Sequence, residues 1–123
     1  MESSQTPLER TIPIPQKLHI KMLLLHVTKN CNSPCVMCDC WREKQKVQLP
    51  KEDIERVVSA FAKQGGELVM VSGGEPLLRK DIPEILRFIK SCGLQVSLNT
   101  NGLLLGRRFQ ELEGAFDFIV ISI

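Results

Sequence analysis

A chain of 123 residues, 43% hydrophobic and 24% charged, can fold as one packed domain and is too apolar for a disordered tail. Its 16 basic and 14 acidic residues are dispersed, so a formal charge of +2 offers no polybasic surface to nucleic acid or membrane. The longest apolar run, residues 18–27, is broken by Lys21 and falls short of the roughly 20 residues that span a bilayer, and the N-terminus lacks the pattern of a secretory signal.

Residues 1–17, with Pro7, Pro13 and Pro15 and little periodicity, read as a loosely ordered leader, which leaves residues 18–123 as the folded domain. A mostly apolar strand is expected over Leu18–Thr28. It runs into CNSPCVMCDC, where Asn30, Asn32 and Pro34 favour turns and Cys31, Cys35, Cys38 and Cys40 gather at the strand's carboxyl end. Residues 51–66 carry Ile54, Val57, Val58, Phe61 and Ala62 at helical spacing, with acidic residues in the first turn and Gly65 and Gly66 as a stop. The short run ELVMVS, residues 67–72, fits a buried strand and leads into the turn GGEPLLR. A second helix is expected from Asp81 as N-cap, with Pro83 in its first turn, through Ile85, Leu86, Phe88 and Ile89 to Gly93. Cys92, near its end, reads as a small buried apolar side chain. LQVSLNT, residues 94–100, is a third strand, a TNG turn follows, a shorter helix occupies roughly 107–113, and residues 116–123 form a fourth strand.

Strands alternating with helices in this way define an α/β fold with a parallel sheet and right-handed crossovers. Ligands of such folds lie at the carboxyl ends of the strands. The cysteine loop, the GGEP turn and the TNG turn all fall at that edge, so one site can draw on all three. The last residue, Ile123, falls inside an apolar strand with no cap after it, and the expectation is a truncated piece of a longer protein.

Without a secretory signal the default compartment is the reducing cytoplasm, where clustered cysteines bind metal more readily than they form disulfides. Cys31, Cys35 and Cys38 have the spacing CxxxCxxC, and Cys40 follows after one residue. Structural zinc prefers two separated pairs of ligands, whereas this chain has no second pair, and His19 and His26 lie on the first strand at core or edge positions. Three thiolates on one loop instead suit three corners of an iron-sulfur cube and leave one iron open. Two alternatives stay open: an electron carrier whose fourth ligand is Cys40, and a structural metal-binding relic. In SGGEPLLR, residues 72–79, Gly73 and Gly74 give a ligand access to backbone, and Glu75 can pair with an ammonium group. A tight strand-to-helix turn would use the same glycines. A phosphate loop is disfavoured, since its lysine is missing and a carboxylate stands in its place.

CxxxCxxC after the first strand together with GGEP after the second resembles the radical S-adenosylmethionine (radical SAM) superfamily. CNSPCVMCDCW also looks like the CxxxCxMCxxW form, whose GGEPLLR segment is followed by an acidic residue as Asp81 is here. The resemblance implies roughly the first four units of a partial (β/α)6 TIM-like barrel over residues 18–123. It implies a 4Fe-4S cluster on Cys31, Cys35 and Cys38, and S-adenosylmethionine bound near Gly73, Gly74 and Glu75, with Asn99, Thr100 and Ser122 as further cofactor contacts. Met37 stands where the family often has an aromatic residue. The implied chemistry is reductive cleavage of S-adenosylmethionine to a 5′-deoxyadenosyl radical, which abstracts hydrogen from an unknown substrate. It needs an electron donor such as a flavodoxin or ferredoxin, and no catalytic residue beyond the cluster ligands.

Overall fold

The computed structural model describes residues 20–29 and 48–122. The expected leader, His19, Met37 and the four clustered cysteines lie outside the described residues.

Four parallel strands form one sheet in chain order: β1 (Met22–His26), β2 (Leu68–Ser72), β3 (Gln95–Thr100) and β4 (Phe118–Ile121). Between them run α1 (Lys51–Lys63), α2 (Ile82–Ser91) and α3 (Leu105–Leu112), the alternation read from the sequence. Register places Leu25 beside Val71 and Val71 beside Leu98, so the buried positions of successive strands line up on one face. Ile54, Val58 and Phe61 of α1 and Ile85, Leu86 and Ile89 of α2 close over these residues as one core. The spacing of those helical residues follows the 3.6-residue period that puts them on a single stripe.

Among the described residues the other face of the sheet is left open at its two outer strands. Met22 and Leu24 of β1 and Phe118 and Val120 of β4 remain exposed, each out of phase with the core positions by one residue, as the two-residue period of a strand requires.

Several boundaries moved for identifiable reasons. β1 is shorter than the expected Leu18–Thr28, because Thr28 leaves the parallel ladder and forms an isolated antiparallel bridge with Gln48. The GGEPLLR turn contains a 3-10 turn over Pro76–Leu78, with Pro76 supplying a first position that needs no N–H donor. α3 begins at Leu105, two residues ahead of the expected start. Asp81 does stand at the N-cap of α2, but its side chain makes no capping bond, since Arg79 occupies both carboxylate oxygens. Cys92 is half-buried and packs against the core.

Asp117 sets the start of β4. Its backbone N–H donates to the Val96 carbonyl at 2.8 Å, its Oδ2 accepts from the Val96 N–H at 2.8 Å, and Lys90 reaches Oδ1. The lysine contact, followed by the Val96 bond, holds the Asp117 carboxyl below its ordinary range. One aspartate thus links α2, β3 and β4.

Candidate functional site at the carboxyl edge of the sheet

β1 and β2 end together, and their continuations stay in contact. The Val27 N–H donates to the Ser72 carbonyl at 3.0 Å, and one step on the Gly74 N–H donates to the Thr28 carbonyl at 2.7 Å. Gly73 has φ +139, and a Cβ built on it would lie 2.4 Å from the Thr28 carbonyl oxygen. Only glycine accepts that backbone and that approach. The glycine pair therefore holds the GGEP turn against Thr28, two residues before Asn30, where the cysteine-bearing stretch begins.

Glu75 is fully buried. Its Oε2 accepts from the Leu77 N–H at 3.0 Å and from the Thr100 hydroxyl at 2.7 Å, and its Oε1 accepts from the Asn101 N–H at 2.7 Å. A buried carboxylate is tolerated when charge-assisted bonds replace its hydration. The Leu77 bond closes the GGEP turn on itself, and the bonds from Thr100 and Asn101 tie it to the TNG turn, so the two segments expected at one edge are brought together through Glu75. The Thr100 hydroxyl also accepts from the Gly102 N–H at 3.1 Å, and Gly102 takes the left-handed conformation, φ +83, that reverses the chain.

Alternation along β3 separates the two polar residues expected to meet a ligand. Thr100 is in phase with buried Val96 and Leu98 and spends its hydroxyl on Glu75. Asn99 is out of phase with them, paired in register with Val120 on the open face. Its Oδ1 is buried and is the one such side-chain atom among the described residues without a hydrogen-bond partner. A buried acceptor left unpaired costs free energy, and that cost disappears when a ligand donates to it. Ser122 is exposed beyond the end of β4, its N–H bound to the Thr100 carbonyl at 2.9 Å. His26 is exposed at the end of β1, in register with Ser72, at the edge position that strand alternation allows.

The structure adds residues that motif reading passed over. Arg79, only 3% exposed, holds Asp81 by two parallel bonds, Nε to Oδ1 at 2.8 Å and Nη2 to Oδ2 at 2.9 Å. Its Nη1 donates to the Val27 carbonyl at 2.9 Å and also to the Leu49 carbonyl. The hydrogen bond from Arg79 comes first among the causes that hold the Asp81 carboxyl below its usual range. Arg108 of α3 reaches the same turn from the other side, with Nη1 on the carbonyls of Leu77 and Arg79 at 2.7 and 2.6 Å and Nη2 on that of Lys80 at 3.1 Å. The one sequence signal for Arg79 was its place two residues before an acidic residue in GGEPLLRKD. Nothing in the sequence pointed to Arg108.

Among the described residues no group of three or more His, Cys, Asp or Glu side chains is placed to hold a metal ion. The cysteines expected to do so lie outside them. No helix among the described residues is long and apolar enough to cross a membrane.

Comparison with known proteins agrees with this geometry. The family model of the radical SAM superfamily matches residues 25–123. GTP 3',8-cyclase of Aquifex aeolicus (strain VF5) is 40% identical over 104 residues, covering 78% of this chain and 32% of that protein. A probable GTP 3',8-cyclase of Pyrococcus abyssi (strain GE5 / Orsay) is 39% identical over 105 residues, covering 82% of this chain and 34% of the relative. The chain thus spans about a third of the length of the curated relatives it matches. In fold it is similar to Streptococcus suis SuiB bound to S-adenosylmethionine, with a TM-score of 0.69 at 22% identity over 82% of this chain and 24% of that one. BtrN in complex with AdoMet and 2-DOIA gives a TM-score of 0.63 at 22% identity, over 82% of this chain and 45% of that one.

Proposed function

The chain belongs to the radical SAM superfamily, and on that premise we propose that it forms the cluster- and cofactor-binding part of an enzyme of that class. One observation carries the reading beyond membership. The Gly74 N–H to Thr28 carbonyl bond at 2.7 Å sets the GGEP turn beside the start of the stretch that bears Cys31, Cys35 and Cys38.

The donor chemistry fits the implied group. Three thiolates in CxxxCxxC spacing suit a 4Fe-4S cluster with one open iron, and the unpartnered Asn99 Oδ1 is an acceptor at the same edge. When bound, cluster and S-adenosylmethionine supply one-electron reductive cleavage to methionine and a 5′-deoxyadenosyl radical for hydrogen abstraction. Cys31, Cys35 and Cys38 would hold the cluster. Gly73 and Gly74, held against Thr28, would present backbone to the cofactor, and Glu75 would offer negative charge toward its ammonium group. With both Glu75 oxygens already accepting from the protein, its first task is to fix the turn, and its attraction for the cofactor acts from that fixed position. The unpartnered Asn99 Oδ1 would accept a hydrogen bond from the cofactor on the open face, Thr100 orients Glu75, and Ser122 extends the polar edge.

The longer relatives named GTP 3',8-cyclase make a guanosine nucleotide the first substrate to try. A low-potential donor such as a flavodoxin or ferredoxin is the proposed reductant, and the reducing cytoplasm the proposed compartment. An electron carrier closed by Cys40 is the weaker reading, because the relatives carry an enzyme's name. Anaerobic reconstitution with iron and sulfide, followed by electron paramagnetic resonance of the reduced protein, tests the proposal. Addition of S-adenosylmethionine should change the spectrum; an unchanged spectrum would count against an open iron.

A further inference from the structure

The stretch that bears the cysteines leaves and re-enters the described structure at two stems, Val27–Thr28 and Gln48–Leu49. These stems are joined directly. The Leu49 N–H donates to the Val27 carbonyl at 3.1 Å, and Thr28 pairs with Gln48 in an antiparallel bridge. Arg79 lies on the same junction, with one nitrogen donating to a carbonyl from each stem, Val27 and Leu49.

The other edge of the guanidinium is fixed by the two parallel bonds to Asp81. A planar fork serves such divergent acceptors in one geometry, whereas an ammonium group cannot. An ion pair with one buried and one partly exposed member, as Arg79 and Asp81 are, is weak evidence for stability, so its position calls for another explanation. The turn that carries Arg79 is braced in turn by Arg108, which binds the carbonyls of Leu77, Arg79 and Lys80. A line of charge-assisted bonds therefore runs from α3 through the GGEPLLR turn to both stems.

We propose that Arg79, oriented by Asp81, is a positioning residue that closes the base of the cysteine-bearing segment before any cluster is present. The link to the cluster rests on the reading of Cys31, Cys35 and Cys38 as its ligands. Joining the stems in advance removes the entropy of closing that stretch from the cost of cluster assembly. The device acts through the two stems, whose carbonyls at Val27 and Leu49 accept from Arg79.

The test compares the unaltered full chain with Arg79→Lys. In the cluster-free protein, amide exchange at Leu49 should be slow, and Arg79→Lys should speed it about tenfold while Val71 and Leu98 in the sheet keep their rates. After anaerobic reconstitution, Arg79→Lys should release iron to a chelator about tenfold faster, with the melting of the sheet little changed. Equal Leu49 exchange in the two proteins would overturn the proposal. So would acceleration of Leu49, Val71 and Leu98 by one common factor, the result of a merely structural role. If Arg79→Lys does not fold, Asp81→Asn carries the same comparison with the same two outcomes. Failure of the unaltered chain to take up iron would refute the reading of the cysteines, and the cluster-free exchange would still decide the role of Arg79.

Discussion

Replacing Gly73 by alanine isolates the contact on which the site's assembly depends. Gly73 has φ +139, a conformation essentially reserved for glycine, and imposing it on alanine costs about 1–3 kcal/mol. The new Cβ would lie 2.4 Å from the Thr28 carbonyl oxygen, a backbone atom that cannot rotate away. The turn must withdraw, and withdrawal lengthens the Gly74 N–H to Thr28 bond, for a further loss of about 1 kcal/mol. The expected total is about 3 kcal/mol, a large share of the ~5–15 kcal/mol that stabilises a typical domain. Gly65 is the internal control. It also has positive φ, +89, but a Cβ there meets nothing within 4 Å, so Gly65→Ala should cost only about 1–2 kcal/mol. Urea unfolding of both variants, followed by circular dichroism, gives the difference. Equal losses in the two would refute the claim that contact with Thr28, beyond backbone strain, makes Gly73 a glycine.

Further outcomes follow from the same geometry. Glu75→Gln should destabilise the cofactor-free protein by about 1–3 kcal/mol, because the amide cannot accept at both oxygens from Leu77, Thr100 and Asn101; unchanged unfolding would show that these bonds contribute nothing. Asp81 is held below its ordinary value of 3.8 by the bond from Arg79. The stability it contributes is therefore full above that value and lost as pH falls through the lower folded value. The stability gap between the unaltered chain and Asp81→Asn should be constant from about pH 5 upward and close in acid; a gap unchanged in acid would contradict the pairing. Asn99→Leu should leave cofactor-free stability equal or slightly higher, since it removes an unpaired buried acceptor, while weakening S-adenosylmethionine binding measured by calorimetry. A marked loss of stability would mean that the asparagine is structural. Cys40→Ala should keep the iron content of the reconstituted protein, and loss of the cluster would restore Cys40 as a ligand.

The sequence alone carried the order of elements. Ile54, Val58 and Phe61, then Ile85, Leu86 and Ile89, repeat at a helical period, and short apolar runs between glycine stops repeat as strands. Those are local periodicities, decided by which residues must leave water. It also carried the chemistry on offer, because the types and spacing of Cys31, Cys35, Cys38 and the GGEP run need no coordinates to be read. Period-two alternation showed that Asn99 and Thr100 cannot share a face, but it could not say which of them faces the helices. That choice belongs to register: Val71 beside Leu98 puts Thr100 on the covered face and Asn99 on the open one.

The partners of buried charge were illegible in advance. Glu75 was read as a group aimed at a ligand and is also the brace between two turns, because its donors, Thr100 and Asn101, lie in a different strand and loop. Arg79 reaches Val27 and Leu49, 52 and 30 residues away, and no local pattern marks a carbonyl as the acceptor of a distant guanidinium. Periodicity and residue type are properties of neighbours along the chain, so the sequence was enough for the elements and the sheet, and it offered Cys31, Cys35 and Cys38 as candidate ligands. Hydrogen bonds between remote segments exist only once the sheet has brought those segments together, so the tertiary structure alone decided that the GGEPLLR turn fastens the base of the cysteine-bearing segment.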